Sequence, residues 1–207
     1  MKDYIEESRV HFNKQASQYD ENTSNYYSGP AKISCKDIEN YLKNIEYLKL
    51  LDVGCGTGWL LDNLSKQRPV EYYGIDISEN MLEKAKSKQI KGAEFTLGKS
   101  HKLPYADETF DIVTCVQSFH HYQNQEESMK EAYRVLKNGG LYIISDTGIG
   151  GIGGWFDNNI LFKILKSGDY RTTNSKGITK QMLNNGFEVI RTQKLASLIY
   201  TVVGQKN

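Results

Sequence analysis

Apolar residues along this chain change period repeatedly. Short, nearly continuous apolar runs stand at 47–53, 72–78, 93–98, 112–117 and 141–146, and such runs suit strands covered on both faces, as in a parallel sheet. Between them the apolar residues move to helical spacing. Ile33, Ile38, Leu42, Ile45 and Leu48 predict a helix over about 31–46, and Leu60, Leu61 and Leu64 predict one opening at Trp59. Met81, Leu82 and Ala85 mark another, with Ser78 placed to cap it. Met129, Ala132, Tyr133 and Leu136 share one face of a helix over 125–137, which Asn138-Gly139-Gly140 would end. A short helix over 178–185 stops at Gly186, and 187–190 and 198–203 read as strands whose short connection permits an antiparallel pair.

The first strand ends in a turn with chemical consequences. Gly54, Gly56 and Gly58 fall at alternate positions, where a chain leaving a strand can turn sharply and let a ligand approach bare backbone. The helix that follows aims its free N–H groups back at the turn. A nicotinamide-binding fold starts in a similar way, but its G-x-G-x-x-G fingerprint needs the third glycine one residue later, where Trp59 stands. Asp52, two residues before the first glycine, would repel a pyrophosphate and attract a cation. Asp76 comes 22 positions after Gly54 at the end of the second strand, where a carboxylate can accept from both hydroxyls of a ribose.

The stretch D-V-G-C-G-T-G-W at 52–59 resembles motif I of the class I S-adenosylmethionine-dependent methyltransferases. The segment from Gly98 to Asp111 resembles that family's G-D-A-x-x-L-P-F-x-D-x-S-F-D pattern, except that Lys99 replaces an aspartate that usually accepts from the adenine amino group; lysine has donors only. R-V-L-K-N-G-G-x-Y-I-I-S at 134–145 is again similar, so the resemblance runs from about 48 to 146. The segment F-N-K-Q-A-S-Q-Y-D at 12–20 looks like the N-terminal helix of small-molecule members, in which a tyrosine helps cover the cofactor; a packing role for Tyr19 is the alternative.

The resemblance implies an α/β fold, a single doubly wound Rossmann-like sheet of seven strands ordered 3-2-1-4-5-7-6 with the last strand pair antiparallel. It implies S-adenosyl-L-methionine as cofactor and a small-molecule methyl acceptor. Asp52, Gly54, Cys55 and Gly56 would wall the methionine end, Asp76 would hold the ribose, and Ile77, Met81, Lys99 and Ser100 would surround the adenine. Gln117 would meet the methionine moiety, and Tyr19 would cover the site. The sulfonium is already activated, so no catalytic side chain is assigned, although His121 stands where a base could act. Adjacent His120 and His121 should point apart on a loop, and no third ligand is evident, so no metal is expected.

A length of 207 residues predicts one domain: a helical cap over 1–47, a cofactor-binding core over 48–146, a candidate lid over 147–177 and a closing helix and hairpin over 178–207. The lid reading rests on Gly148, Gly150, Gly151, Gly153 and Gly154 ahead of an aromatic helix over 155–165; a loop followed by a packed helix is the alternative. A net charge of +1 leaves no electrostatic footprint for nucleic acid or anionic membrane. Cys35, Cys55 and Cys115 are widely spaced, without the pairing of a disulfide framework or zinc site. The charged N-terminus lacks the apolar core of a signal peptide, and no apolar run approaches spanning length, so a cytoplasmic protein without a membrane partner is expected. Two rivals remain: a binding or regulatory module that lost its chemistry, favoured by Lys99, and a nicotinamide oxidoreductase, disfavoured by the glycine spacing and Asp52.

Overall fold

In a computed structural model the described residues are 3–20, 28–161 and 169–207. The chain opens with α1 (Tyr4–Gln15), whose first amides bond to the Asp3 carboxylate, and α2 (Ser28–Leu42), with Pro30 in its first turn. Then strands and helices alternate: β1 (Lys49–Val53), α3 (Trp59–Ser65), β2 (Glu71–Asp76), α4 (Glu79–Ser87), β3 (Ala93–Leu97) and β4 (Phe110–Val116). A 3₁₀ turn at Phe119–His121 leads to α5 (Gln125–Val135) and β5 (Leu136–Thr147). After α6 (Gly151–Phe156) and a π-helical turn (Asp157–Leu161) come α7 (Ser175–Asn184), β6 (Phe187–Lys194) and β7 (Ile199–Lys206).

The strands form one seven-stranded sheet in the order β3-β2-β1-β4-β5-β7-β6. β1 to β5 run parallel, while β7 pairs antiparallel with both β5 and β6. The order reverses between β1 and β4, so a crevice opens beyond their carboxyl ends. One face of the sheet packs Val113, Tyr142 and Ile144 against Met129 and Ala132 of α5 and Met182 of α7. The other packs Leu50, Tyr72 and Ile143 against Ile38 and Leu42 of α2 and Leu61 and Leu64 of α3. The Arg191 guanidinium reaches across from β6 to both carboxylate oxygens of Asp37 in α2, at 2.8 and 2.6 Å, and fixes that helix to the sheet edge.

Several element ends differ from the sequence reading. The predicted 31–46 helix runs instead from Ser28 to Leu42. α5 stops at Val135 because the amides of Glu108 and Thr109 take the Arg134 and Val135 carbonyls, and Asn138-Gly139-Gly140 fall within an irregular start of β5. β6 and β7 extend past the apolar positions, since edge pairing requires backbone and not apolar side chains. Gly151, Gly153 and Gly154 belong to α6 itself rather than to a loop ahead of it, and 162–165 of the expected aromatic helix lie outside the described residues. Among the described residues no helix is long and apolar enough to cross a membrane.

Candidate active site

The crevice between the carboxyl ends of β1, β2 and β4 is a cavity enclosing about 1050 Å³ of space, open mouth included. Its floor is the turn after β1. Gly54 has φ +74° and sits so close to the 118–122 turn that a Cβ there would stand 2.0 Å from Ser118 Oγ. Gly56 has φ +52°, and a Cβ on it would meet nothing within 4 Å, so that side of the backbone is bare toward the cavity. The turn is tied from both sides: the amides of Gly54 and Cys55 donate to the Ile75 carbonyl, and the Tyr122 hydroxyl donates to the Val53 carbonyl at 2.9 Å.

Two carboxylates enter this space from neighbouring strands. Asp52, 2% exposed, is opposite Gly74 and Thr114 in the sheet and accepts from the Thr114 hydroxyl at 2.7 Å. Burial pushes its carboxyl up to about 7 against the pull of that hydroxyl, and the charge of Asp76 adds to the rise. Asp76 accepts the Gly56 amide on one oxygen at 2.8 Å and the Ser78 amide on the other at 2.9 Å. Burial raises its carboxyl too, opposed by the amides of Ser78, Gly56 and Ile77. A buried carboxylate facing a cavity favours a cationic occupant, and the unused lone pairs of Asp76 can accept from hydroxyls.

Tyr19, Asp52, Gly54, Cys55, Gly56, Asp76, Ile77, Met81, Ser100 and Gln117 all line the cavity. Lys99 does not: it is exposed, in a small bridge with Lys102, while Ser100 turns inward and shares a hydrogen bond with Ser128. Gln117 adopts φ +48°, uncommon for a non-glycine residue. Its side chain is spoken for at both ends, donating to the Ser34 hydroxyl and accepting from the Thr147 hydroxyl, so it braces α2 against β5 as well as lining the crevice.

Of the other lining residues, Ile5, Ser8 and Gln123 carried no signal in the sequence. Ile5, Ser8 and Phe12 cover the cavity from α1, which is pinned by polar contacts: Asn13 accepts from Ser78 at 2.6 Å, and Arg9 pairs with Glu79 at 3.1 Å. The Thr57 hydroxyl in the glycine turn donates to Asp20 at 2.7 Å, and Lys88 pairs with the same aspartate at 2.9 Å. His121 and Gln123 line the side beyond Gln117. The sequence expectation that the two histidines point apart with no third partner does not hold. Their ring centroids lie 4.0 Å apart, and both face Asp169. Burial works to lower the His120 pKa, but the carboxylates of Asp146 and Asp169 outweigh it and raise it.

Comparison with known proteins agrees with this geometry. Residues 51–144 match a family described as a methyltransferase domain. Demethylmenaquinone methyltransferase of Thermotoga maritima is 34% identical over 110 residues, covering 53% of this chain and 48% of that protein. Among solved structures, magnesium protoporphyrin IX methyltransferase of Synechocystis, solved with bound SAH, superposes with a TM-score of 0.73 at 18% identity, covering 96% of this chain and 98% of that one. A protein solved in complex with the Trm112 methyltransferase activator of Haloferax volcanii gives 0.81 at 17% identity, with 96% of each chain covered. At such identities the likeness is one of fold. The residues that match the methyltransferase-domain family, 51–144, make up a little under half of the chain. The match spans about half the length of the Thermotoga relative.

Proposed function

We propose that this chain transfers a methyl group from S-adenosylmethionine to a small-molecule acceptor. The observation that carries the reading is one cavity joining Asp52, the bare backbone of Gly56 and Asp76 at one end to Phe12, His121 and Gln123 at the other. When bound, the cofactor supplies a methyl group already activated on a sulfonium. Asp52 attracts the ammonium of its methionine part, and Gly54, Cys55 and Gly56 form the wall beside it. Asp76 holds the ribose hydroxyls, and Ile77, Met81 and Ser100 enclose the base. Because Lys99 is not among the residues lining the cavity, its departure from the family pattern no longer favours a module without chemistry.

The remaining task for the protein is positioning. Holding two reactants aligned in a closed site contributes roughly 7–11 kcal/mol, and α1 supplies closure through Ile5, Ser8 and Phe12. Tyr19 and the Asp20–Thr57 contact hold the end of that cover on the glycine turn. No side chain is assigned a covalent or proton-transfer role.

Calorimetry with S-adenosylhomocysteine and NADH tests the reading. The sulfur compound should bind and NADH should not, and a panel of small acceptors should yield S-adenosylhomocysteine on turnover. NADH binding without a response to S-adenosylhomocysteine would overturn it.

The Asp52 placement makes a separate prediction about pH. With its carboxyl near 7 in the free protein, an ammonium alongside favours the ionised form, so ligand binding expels a proton at low pH. Affinity for S-adenosylhomocysteine should be level well above pH 7 and should fall as pH drops through that value, by up to about tenfold per unit. Asp52→Asn should flatten the profile. An unchanged slope in that variant would assign the proton to another group.

A further inference from the structure

The 3₁₀ turn beyond β4 and the start of the 169–207 segment meet at three side chains with metal-binding chemistry. His120 Nε2 lies 3.5 Å, and His121 Nδ1 3.3 Å, from the same Asp169 oxygen. One ligand atom from each of the three lies within 4.8 Å of the other two, and all three residues are half-buried. Charge-assisted N–H···O bonds are shorter, about 2.7–2.9 Å. The two histidine–aspartate separations match a tetrahedral edge: metal–donor distances of about 2.0–2.2 Å place neighbouring donors roughly 3.3–3.5 Å apart.

The surroundings hold these donors in place. Asp146, 1% exposed, stands 2.6 Å from His120 Nδ1 through one oxygen and accepts the His120 amide at 3.0 Å through the other. An ionised carboxylate can only accept, so Nδ1 carries the hydrogen and a neutral His120 ring presents its Nε2 lone pair on the Asp169 side. A carboxylate behind the ring is the arrangement that orients metal-ligating imidazoles. Asp169 arrives from far along the chain, yet its neighbours are clamped to the same turn. The amides of Tyr170 and Arg171 both donate to the His120 carbonyl at 3.0 Å, and Gln125 Nε2 donates to the Arg171 carbonyl at 3.0 Å.

We propose that His120, His121 and Asp169 form a site for a divalent first-row metal ion of the zinc class, with Asp146 as the positioning residue behind His120. Imidazole and carboxylate are donors such ions accept, and three protein donors leave a coordination position open. His121 lines the cavity, so the open position belongs to the acceptor end, where an oxygen donor such as a hydroxyl or carboxylate completes the shell. That this oxygen compound is the methyl acceptor rests on the proposed function; the binding of the ion does not.

The test uses the full, untagged chain, stripped with a chelator and titrated with Zn²⁺ by calorimetry and with Co²⁺ by visible absorption, with no cofactor or acceptor present. One equivalent of each ion is expected, with Co²⁺ giving the intense bands of a low-coordinate site. Asp169→Asn and His120→Gln should each weaken binding by at least about tenfold, and Asp146→Asn by about 10–100-fold without touching the ion. Thermal melting checks that each variant is folded, and Asp169→Asn, at a half-exposed position of nearly unchanged volume, is the variant on which the decision rests. Absence of stoichiometric binding to the parent chain overturns the site and leaves a cluster that shares protons. Binding that Asp169→Asn leaves unchanged overturns it equally, because the ion then sits elsewhere. Either result leaves the methyltransferase reading intact, and failure to bind S-adenosylhomocysteine would leave the metal site intact.

Discussion

Asp76→Ala is expected to weaken S-adenosylhomocysteine binding by a hundredfold or more, read by calorimetry at neutral pH. Each hydrogen bond to a charged acceptor contributes about 1.5–3 kcal/mol, and a ribose offers two hydroxyls to this carboxylate. A hundredfold corresponds to roughly 2.7 kcal/mol, which the loss of both bonds readily exceeds. The substitution also strands the Gly56 and Ser78 amides that the carboxylate now holds at 2.8 and 2.9 Å, loosening the glycine turn itself. Asp76→Asn keeps one acceptor and should recover part of the affinity. If Asp76→Ala binds as tightly as the parent, no ribose sits there.

Gly54→Ala should cost the fold about 2–5 kcal/mol, seen as a lower urea midpoint at an unchanged slope. The left-handed conformation costs an L-residue about 1–2 kcal/mol, and overpacking adds about 1–3; here the new methyl would stand 2.0 Å from Ser118 Oγ and 2.8 Å from the Tyr122 hydroxyl. Against a typical total of about 5–15 kcal/mol, that is a large share. Gly56→Ala provides the contrast. Its φ of +52° carries the conformational cost, but the methyl meets no atom within 4 Å, so stability should drop by only about 1–2 kcal/mol while the methyl intrudes on the ligand. Equal destabilisation by the two substitutions would mean that the close approach of the 118–122 turn is not what fixes Gly54.

The sequence makes legible those parts of the fold that depend on local periodicity and on the glycine turn. Four buried strands and the more exposed β3 betray themselves as apolar runs, and a one-residue difference in glycine spacing together with Asp52 separates the cofactor class from a nicotinamide one. What depends on distant partners is hidden. The end of α5 is set by amides of residues 108 and 109, outside the helix. Lys99 and Ser100 are neighbours, and no pattern states which of them turns inward. The meeting of His120 and His121 with Asp169 depends on a segment some fifty residues downstream folding back onto the turn, so the pair reads on paper as two histidines facing opposite ways.

The cover formed by α1 rests on the body of the protein through a particular kind of contact. Arg9 and Asn13 meet the start of α4, and Asp20 meets Thr57 and Lys88, while Ile5 and Phe12 look into the cavity. On the proposed function, the apolar side of this helix would have the bound molecules themselves as part of its core. On that reading, residence time in the cavity would follow how often residues 3–20 detach, a rate that Arg9, Asn13 and Lys88 can tune without lining the cavity. Turnover and selectivity would thereby come under separate control: the strand ends decide what is held, and a handful of part-buried polar contacts decides for how long.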